Sequence, residues 1–413
     1  MRTLGLVSAL AVTLSVWTGS VRAEPLTFDG ALARATSNAP ALRASALGVE
    51  AARIEAIAAG QLPDPRLSFG LDGFPVTGPV AGQFGEDDFT ILRLGIEQAV
   101  PSRARRRAER AVADARIGEA GAEDAIALRD VRIATGLGWI DLYYADRRLA
   151  ALDEVLTSLE PLWLAAPSAV ASGVDRPANA LGPVQLRAAL LDRRARLVAD
   201  TEKARAELAR WTGDAAVLVE GAPPLTMLDP AGLRAGLDRV PALRAYAATG
   251  RRAEAEVDLA RAGRRPDWSF NASYGRRDPR FGDLVSIGAT VSLPLFQDQR
   301  QAPVIAARAA DALRVRLERE DAARTLEAGL RADLAEHAMN HDLWLRARDV
   351  VLPNVLQRSD LETAAYAADR VGLTEVIEAF TAVANARLDT LDREAAVMRH
   401  VVNITLTYGI QDQ

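Results

Sequence analysis

The sequence predicts a mainly α protein that carries a membrane β-barrel portion, with long helical hairpins and four β-strands arranged in an internal twofold repeat. Three observations predict it. The segment from Pro40, PALRASALGVEAARIEAIAAGQLPDPRLSF, returns without a gap 201 positions later from Pro241 as PALRAYAATGRRAEAEVDLARAGRRPDWSF, with Pro40, Arg43, Pro65, Ser68 and Phe69 falling on Pro241, Arg244, Pro266, Ser269 and Phe270. Each copy is followed by an alternating apolar run that ends in proline, at Leu92 to Pro101 and at Ser286 to Pro294. Each proline then opens a stretch rich in alanine and arginine, with no linker for tens of residues. A repeat covering nearly the whole of 413 residues predicts two halves of one architecture, 24–225 and 226–413, rather than two independent domains.

The elements follow in order. Residues 1–23 read as a signal peptide, with Arg2 as a basic start, an apolar core from Leu4 to Trp17 and Val21-Arg22-Ala23 as a small-x-Ala cleavage site, so the mature chain is expected to begin at Glu24. No later stretch has the roughly 20 continuous apolar residues of a membrane-spanning helix. Helices are expected at Phe28 to Ser37 and Ala41 to Gly60, the second stopped by Pro63 and Pro65. Leu67, Phe69 and Leu71 then alternate with Ser68, Gly70 and Asp72, the period-2 pattern of a strand. After a loop rich in glycine and proline, Thr90, Leu92, Leu94 and Ile96 share one face and Arg93, Gly95 and Glu97 the other. The second copy places Trp268, Phe270, Ala272 and Tyr274 together on its first strand, and Val285, Ile287, Ala289, Val291 and Leu293 together on its second.

Each strand pair feeds a hairpin. The helical stretches from Ser102 to about Tyr144 and from Val304 to about Leu345 amount to about 42 residues each, roughly 60 Å at 1.5 Å per residue, twice the thickness of a bilayer core. Such helices are too long and too charged for lipid and must extend through water. The return helices are expected to break at Trp163 to Pro183 and Asp369 to Val376, then to continue over Val184 to Trp211 and Thr374 to His400. The end Asn403 to Ile410 reads as strand-like without excluding helix.

The strands constrain assembly. Four amphipathic strands of roughly 8 to 11 residues fit the wall of a transmembrane barrel, but closed barrels of the outer membrane begin at about eight strands. Unpaired strand edges in lipid cost several kcal/mol per backbone group, so several chains must share one barrel; three would supply twelve strands. A soluble sheet packed under helices also fits the alternation, but leaves the export signal and the long polar helices unrelated. Formal charge is −5, and −7 once Arg2 and Arg22 are removed (48 basic against 55 acidic residues), which is unlike the basic face of a nucleic-acid binder. Cysteine is absent, which excludes disulfides, thiolate metal sites and cysteine nucleophiles.

The export signal, the opening LTFDGALARATSNAPALRA, the strand pairs closing on Pro101 and Pro294, SLPLF at Ser292 to Phe296 and DRVGLTEVIEAFTAVANARL at Asp369 to Leu388 together resemble the TolC-like outer membrane efflux protein family, across essentially the whole mature chain and nearer its heavy-metal subgroup than its drug-efflux subgroup. The resemblance implies a homotrimer with a shared twelve-stranded barrel in outer-membrane lipid, a long α-helical barrel crossing the periplasm, and a mixed equatorial belt where the return helices break. It also implies docking to a periplasmic adaptor protein and an inner-membrane pump. The sequence departs from the family in lacking an N-terminal cysteine for lipidation, in having Ser102-Arg103 where the second copy has Leu295-Phe296, and in the length of its first break, with Pro167, Pro177 and Pro183.

No catalytic constellation is present, and no cofactor is expected. His337 and His341 have the i, i+4 spacing of a zinc pair, but Ala338, Met339 and Asn340 between them omit the glutamate of H-E-x-x-H, so no metal enzyme is read from them. On the resemblance, the two hairpins reverse near Tyr144 to Leu149 and near Asn340 to Arg346, and these reversals form a closed periplasmic end held by charged links. Asp146, Arg147, Arg148 and Asp153 in the first copy, and Asp342, Arg346, Arg348 and Asp349 in the second, are the candidate gate and tip residues as a group. Leu92, Leu94, Ile96, Trp268, Phe270, Tyr274, Val285, Ile287 and Val291 are the candidate lipid-facing residues. The function expected is passive conduction from pump and adaptor to the outside; the alternative is a soluble periplasmic coiled-coil adaptor or scaffold without a pore.

Overall fold

The computed structural model describes residues 25–83, 86–161, 163–164, 181–214, 216–224, 227–368 and 370–409. The expected signal peptide 1–23 lies outside them, as do Pro167, Pro177, Asp369 and Ile410. The order is α1 (Phe28–Asn38), α2 (Pro40–Ala58), β1 (Arg66–Asp72), β2 (Ile91–Val100), α3 (Arg103–Ser158), α4 (Leu181–Thr212), α5 (Pro230–Gly236), a 3₁₀ turn (Leu237–Arg239), α6 (Pro241–Ala262), β3 (Asp267–Arg276), β4 (Leu284–Ser292), α7 (Gln297–Arg346), a π turn (Ala347–Val351), α8 (Leu352–Ala367) and α9 (Leu373–Tyr408).

The strands form one antiparallel sheet in the order β1-β2-β3-β4. Above it the helices pack side by side in the matching order, α2 on α3, α3 on α6 and α6 on α7. Ser102 explains the departure at the first strand-to-helix junction. Its hydroxyl accepts from the Arg105 backbone N–H at 3.3 Å and so caps α3, while its own backbone N–H donates to Asp267 Oδ1 at 2.7 Å, tying the start of α3 to the start of β3. An apolar residue at that position would keep the backbone bond but could not cap α3.

Two expectations about the helices are overturned, and a third left open is decided. No reversal occurs at 144–149. α3 runs unbroken for 56 residues, about 84 Å at 1.5 Å per residue, because it has no proline until Pro161 and its apolar positions stay buried well past Tyr144, at Leu152 and Val155. The second reversal is likewise not at 340–346. After α7 a π turn carries the helix on into α8, and the chain turns only between Ala367 and Leu373. Pro353 accounts for the π turn: it has no N–H to donate, and its ring would clash with the carbonyl four residues back. α4 and α9 are therefore the return limbs, packed back along α3 and α8, and most of the first expected break, 165–180, lies outside the described residues. Finally, the strand-like end is helical: α9 continues to Tyr408, whose hydroxyl donates to Asp333 Oδ2 at 2.9 Å and which packs with Leu330 and Ile404.

The equatorial belt consequently lies elsewhere than expected, around Trp139. The Trp139 ring is fully buried, donates from Nε1 to the Leu26 carbonyl at 2.9 Å, stacks on Tyr143 and meets Phe28 edge-on. Leu26 pairs with Val219 in a short parallel bridge, so the N-terminal segment and the connection after α4 are both held there. Ile140, Leu142, Tyr144, Leu208, Val397 and Val402 complete the cluster. Gly136 permits it: a Cβ at this position would lie 2.9 Å from Val402 Cγ1, so α3 and α9 approach too closely for any side chain there. Leu142 is fully buried in this cluster, so Leu142→Ala is expected to cost about 2–5 kcal/mol, read as a lower midpoint in chemical denaturation.

Candidate functional site

Two features of the fold carry functional information, the sheet and the seam between the hairpins. In the sheet, residues directly opposite one another share a face. Phe69 pairs with Leu94, and Leu94 with Tyr274, which pairs with Val285. Leu67, Ile96, Ala272 and Ile287 form a second such row, and Val100, Trp268 and Val291 part of a third. The nine residues Leu92, Leu94, Ile96, Trp268, Phe270, Tyr274, Val285, Ile287 and Val291 thus lie on one continuous apolar face, interrupted by Gln98 and Arg276. It is largely uncovered within the chain: Phe69 is 78% exposed and Ile287 85%. The opposite face carries Ser68, Gly95 and Ser273 in one row and Asn271 and Gly288 in another, with Arg93 bound to Asp72 at 2.7 Å. β1 and β4 end the sheet, and each leaves one row of backbone donors and acceptors without a strand partner in the chain.

The seam is formed by α3 and α9, which run antiparallel. Asp141 pairs with Arg399, Arg148 with Asp392 at 2.7 Å, and Glu154 with Arg387 at 2.7 Å. The links recur seven and six residues apart on α3 and seven and five apart on α9, so they line one stripe, as in a coiled coil. Arg193 on α4 adds a bond to Asn385 on α9 at 2.6 Å. Beneath them Leu152, Val155, Leu159, Leu186, Leu190, Val383 and Ala384 form a buried cluster shared by both hairpins.

The eight gate candidates lie within or next to continuous helix and not at reversals. Arg148 belongs to the seam. Asp153 accepts two bonds from Arg194 on α4, at 2.7 and 3.2 Å, and Asp146 faces Arg205 at 3.8 Å, so both hold the first hairpin to itself. Burial raises the Asp146 carboxyl above its usual range, partly offset by Arg205. Arg147 donates to the Tyr143 hydroxyl at 2.7 Å. Arg348 donates twice to Asp349, at 2.6 and 2.9 Å, which holds that carboxyl low, and its guanidinium lies over Trp344. Asp342 lines a cleft at the belt, and Arg346 is exposed at the end of α7. The sequence reading missed Asp141, Glu154, Arg387, Asp392 and Arg399. The signal available was charge at a seven-residue interval, Asp141 with Arg148 and Asp392 with Arg399, in the same order on two helices, which antiparallel packing makes complementary.

Among the described residues no group of three or more histidine or acidic side chains is placed to hold a metal ion, and no helix is long and apolar enough to cross a membrane. The fold is a four-stranded two-faced sheet continued by long antiparallel helical hairpins. No family model matches the chain, and no curated protein matches it in sequence. Solved structures do match. The Campylobacter jejuni CmeC outer membrane channel is 12% identical with a TM-score of 0.76, over 99% of this chain and 94% of that one. The outer membrane protein VceC of Vibrio cholerae is 14% identical with a TM-score of 0.76, over 94% and 97%. The open-state Neisseria gonorrhoeae MtrE outer membrane channel is 16% identical with a TM-score of 0.76, over 92% and 88%. The chain has the fold of these outer-membrane channels.

The seam pairs are half-exposed: the Arg148 and Asp392 side chains retain 24% and 52% of their accessible surface. Each pair is therefore expected to couple by no more than about 1 kcal/mol in a double-mutant cycle of Arg148→Ala and Asp392→Ala, weakening with added salt.

Proposed function

We propose that the chain is one protomer of a homotrimeric outer-membrane channel of a tripartite efflux system, passively conducting substrates delivered by a periplasmic adaptor and an inner-membrane pump. The observation that carries this reading is the sheet: one apolar face spans all four strands, one small and polar face lies behind it, and both edges are open. In water this arrangement leaves a large apolar surface uncovered. In lipid the same face is satisfied, provided the edges pair, and edge pairing of three copies gives twelve strands with the polar face lining a lumen. The helical layer supports the same closure. α2 presents Leu47, Ile54 and Ile57 outward at one edge, and α7 presents Val304, Leu313 and Leu317, all exposed within the chain. A neighbouring α7 against α2 would repeat between chains the α3–α6 contact made within one. The soluble adaptor reading uses the hairpins but gives the apolar face no partner. On the channel reading the protein performs no reaction; its work is to hold a pore and to open it.

Opening is assigned to the seam. Parting the first hairpin from the second breaks the Asp141–Arg399, Arg148–Asp392 and Glu154–Arg387 links together, and several weak links in parallel keep closed and open states within a few kcal/mol of each other.

Two outcomes test the reading. Ile287→Arg, on the apolar face, is expected to cost about 2–4 kcal/mol in the membrane and to abolish recovery of cross-linked trimer from the outer-membrane fraction, whereas Thr290→Arg, on the polar face, is expected to assemble normally. Equal recovery of the two variants would remove the lipid-facing assignment. Replacing Arg148, Arg387 and Arg399 together by alanine is expected to raise single-channel conductance in a planar bilayer several-fold; an unchanged value would free the seam from gating while leaving the channel intact.

A further inference from the structure

Where the sheet meets the helices, positive charge is concentrated. Residues 101–110 and 258–267 carry eight arginines against Glu109, Asp258 and Asp267, a net charge of +5 in a chain whose total is −5. The fold brings the two segments together. Val100 pairs with Trp268 at the end of β2, and the Ser102 backbone N–H donates to Asp267 Oδ1 at 2.7 Å, so the start of α3 lies beside the turn between α6 and β3.

The eight arginines divide into two groups. Arg105 is held by Glu109 and Asp267, each at 3.1 Å, Arg110 by the Gly60 carbonyl at 3.3 Å and Arg261 by Asp258 at 2.9 Å, while Arg106 is half-buried. Arg103, Arg107, Arg264 and Arg265 are exposed, and their side chains make no hydrogen bond or ion pair with the described residues. Helix stability does not call for the first two, because the opening turn of a helix favours acidic side chains and α3 has none there.

Their direction follows from Arg105. It reaches Asp267, which shares the polar face of β3 with Ser269 and Asn271. Arg103 and Arg107 each stand two residues from Arg105, about 160° round the helix, on the side that continues the apolar face. Long side chains on a helix lean toward its N-terminus, which for α3 is the sheet end. The level is set by the apolar face itself. Its last row holds Trp268, whose ring stacks with Phe270 at 6.4 Å, and in the second copy Leu295 and Phe296 are 74% and 67% exposed below it. Aromatic rings at the end of a lipid-facing band mark the headgroup level. Arg103 and Arg265 each follow that row by three residues, about 10 Å of chain, which puts their guanidinium groups among the headgroups.

We propose that Arg103, Arg107, Arg264 and Arg265 form a docking site for an anionic phospholipid of the phosphatidylglycerol kind, its phosphate on the guanidinium groups and its acyl chains along Trp268. The proposal rests on the membrane reading of the sheet. Charge complementarity and continuity with the apolar face favour a lipid, which supplies an anion and an apolar body together; an acidic soluble partner supplies only the first.

Trp268 provides the readout, since it is the one tryptophan on a described strand. The full-length purified protein, reconstituted in phosphatidylcholine vesicles, is titrated with phosphatidylglycerol or phosphatidylcholine brominated in the acyl chains, and quenching of tryptophan fluorescence gives the relative binding constant. A preference for phosphatidylglycerol of about fivefold or more is expected. Arg103→Gln with Arg107→Gln, and separately Arg264→Gln with Arg265→Gln, are each expected to lower it at least about twofold, and the fourfold variant to abolish it. Arg43→Gln with Arg244→Gln removes two exposed arginines at the far ends of α2 and α6 and is expected to leave it unchanged. Equal quenching by the two lipids, a preference retained in the fourfold variant, or one removed by inorganic phosphate but not by chloride at equal ionic strength would overturn the proposal. A protein recovered as a soluble monomer would overturn the membrane reading along with it, whereas an inserted trimer without lipid preference would overturn the docking site alone.

Discussion

The constraint on which the rest of the molecule depends is that a four-stranded sheet has two edges. Every N–H and C=O along β1 and β4 that faces outward needs a partner, and where water is excluded only another strand can supply one. The edges cannot be blunted by curling the sheet on itself, because four strands are too few to close. The same limitation is repeated in the helical layer, where α2 and α7 end the row with apolar side chains outward. Both layers being unfinished at corresponding places is what the proposed trimeric tube requires of each chain.

Within the chain, the two hairpins are joined in different ways at different heights. At the belt the join is apolar and close: Trp139 is gripped by Phe28 and Tyr143, and Gly136 lets α9 come into contact with α3. Further along, the join becomes the stripe of charged pairs from Asp141 to Glu154 over a smaller apolar cluster. Burial of large side chains is strong and indifferent to salt, whereas half-exposed ion pairs are weak and screened. The fold is thus firmest at the belt and most easily parted along the seam, the distribution that the proposed opening would use.

How far the sequence was legible follows from the range of the interactions involved. The strands and their two faces were legible, because period-2 alternation is local and is enforced by the pleat. The starts of α1, α2 and α4 were legible to within a few residues from prolines and apolar onset. The hairpin turns were not. Tyr144 to Leu149 was expected to turn on the family resemblance, yet there the helix runs on past the belt, where Trp139 and Tyr144 pack against α9. The π turn arises from Pro353, but whether a proline stops a helix or only distorts it depends on what packs around it. The seam residues went unread because each looks like an ordinary surface charge until a second helix is laid against it.

By itself the sequence determined the repeat, the four amphipathic strands and their faces, the two long helical limbs and the absence of any catalytic constellation, all of which are set by neighbours a few positions away. Only the tertiary structure decided where the limbs turn, where the belt lies, which charges meet across the hairpins and that the arginines before β3 lie beside those of α3. Those depend on contacts between residues that lie as far apart as Asp141 and Arg399, and no local periodicity encodes the register in which two helices of such length settle against each other.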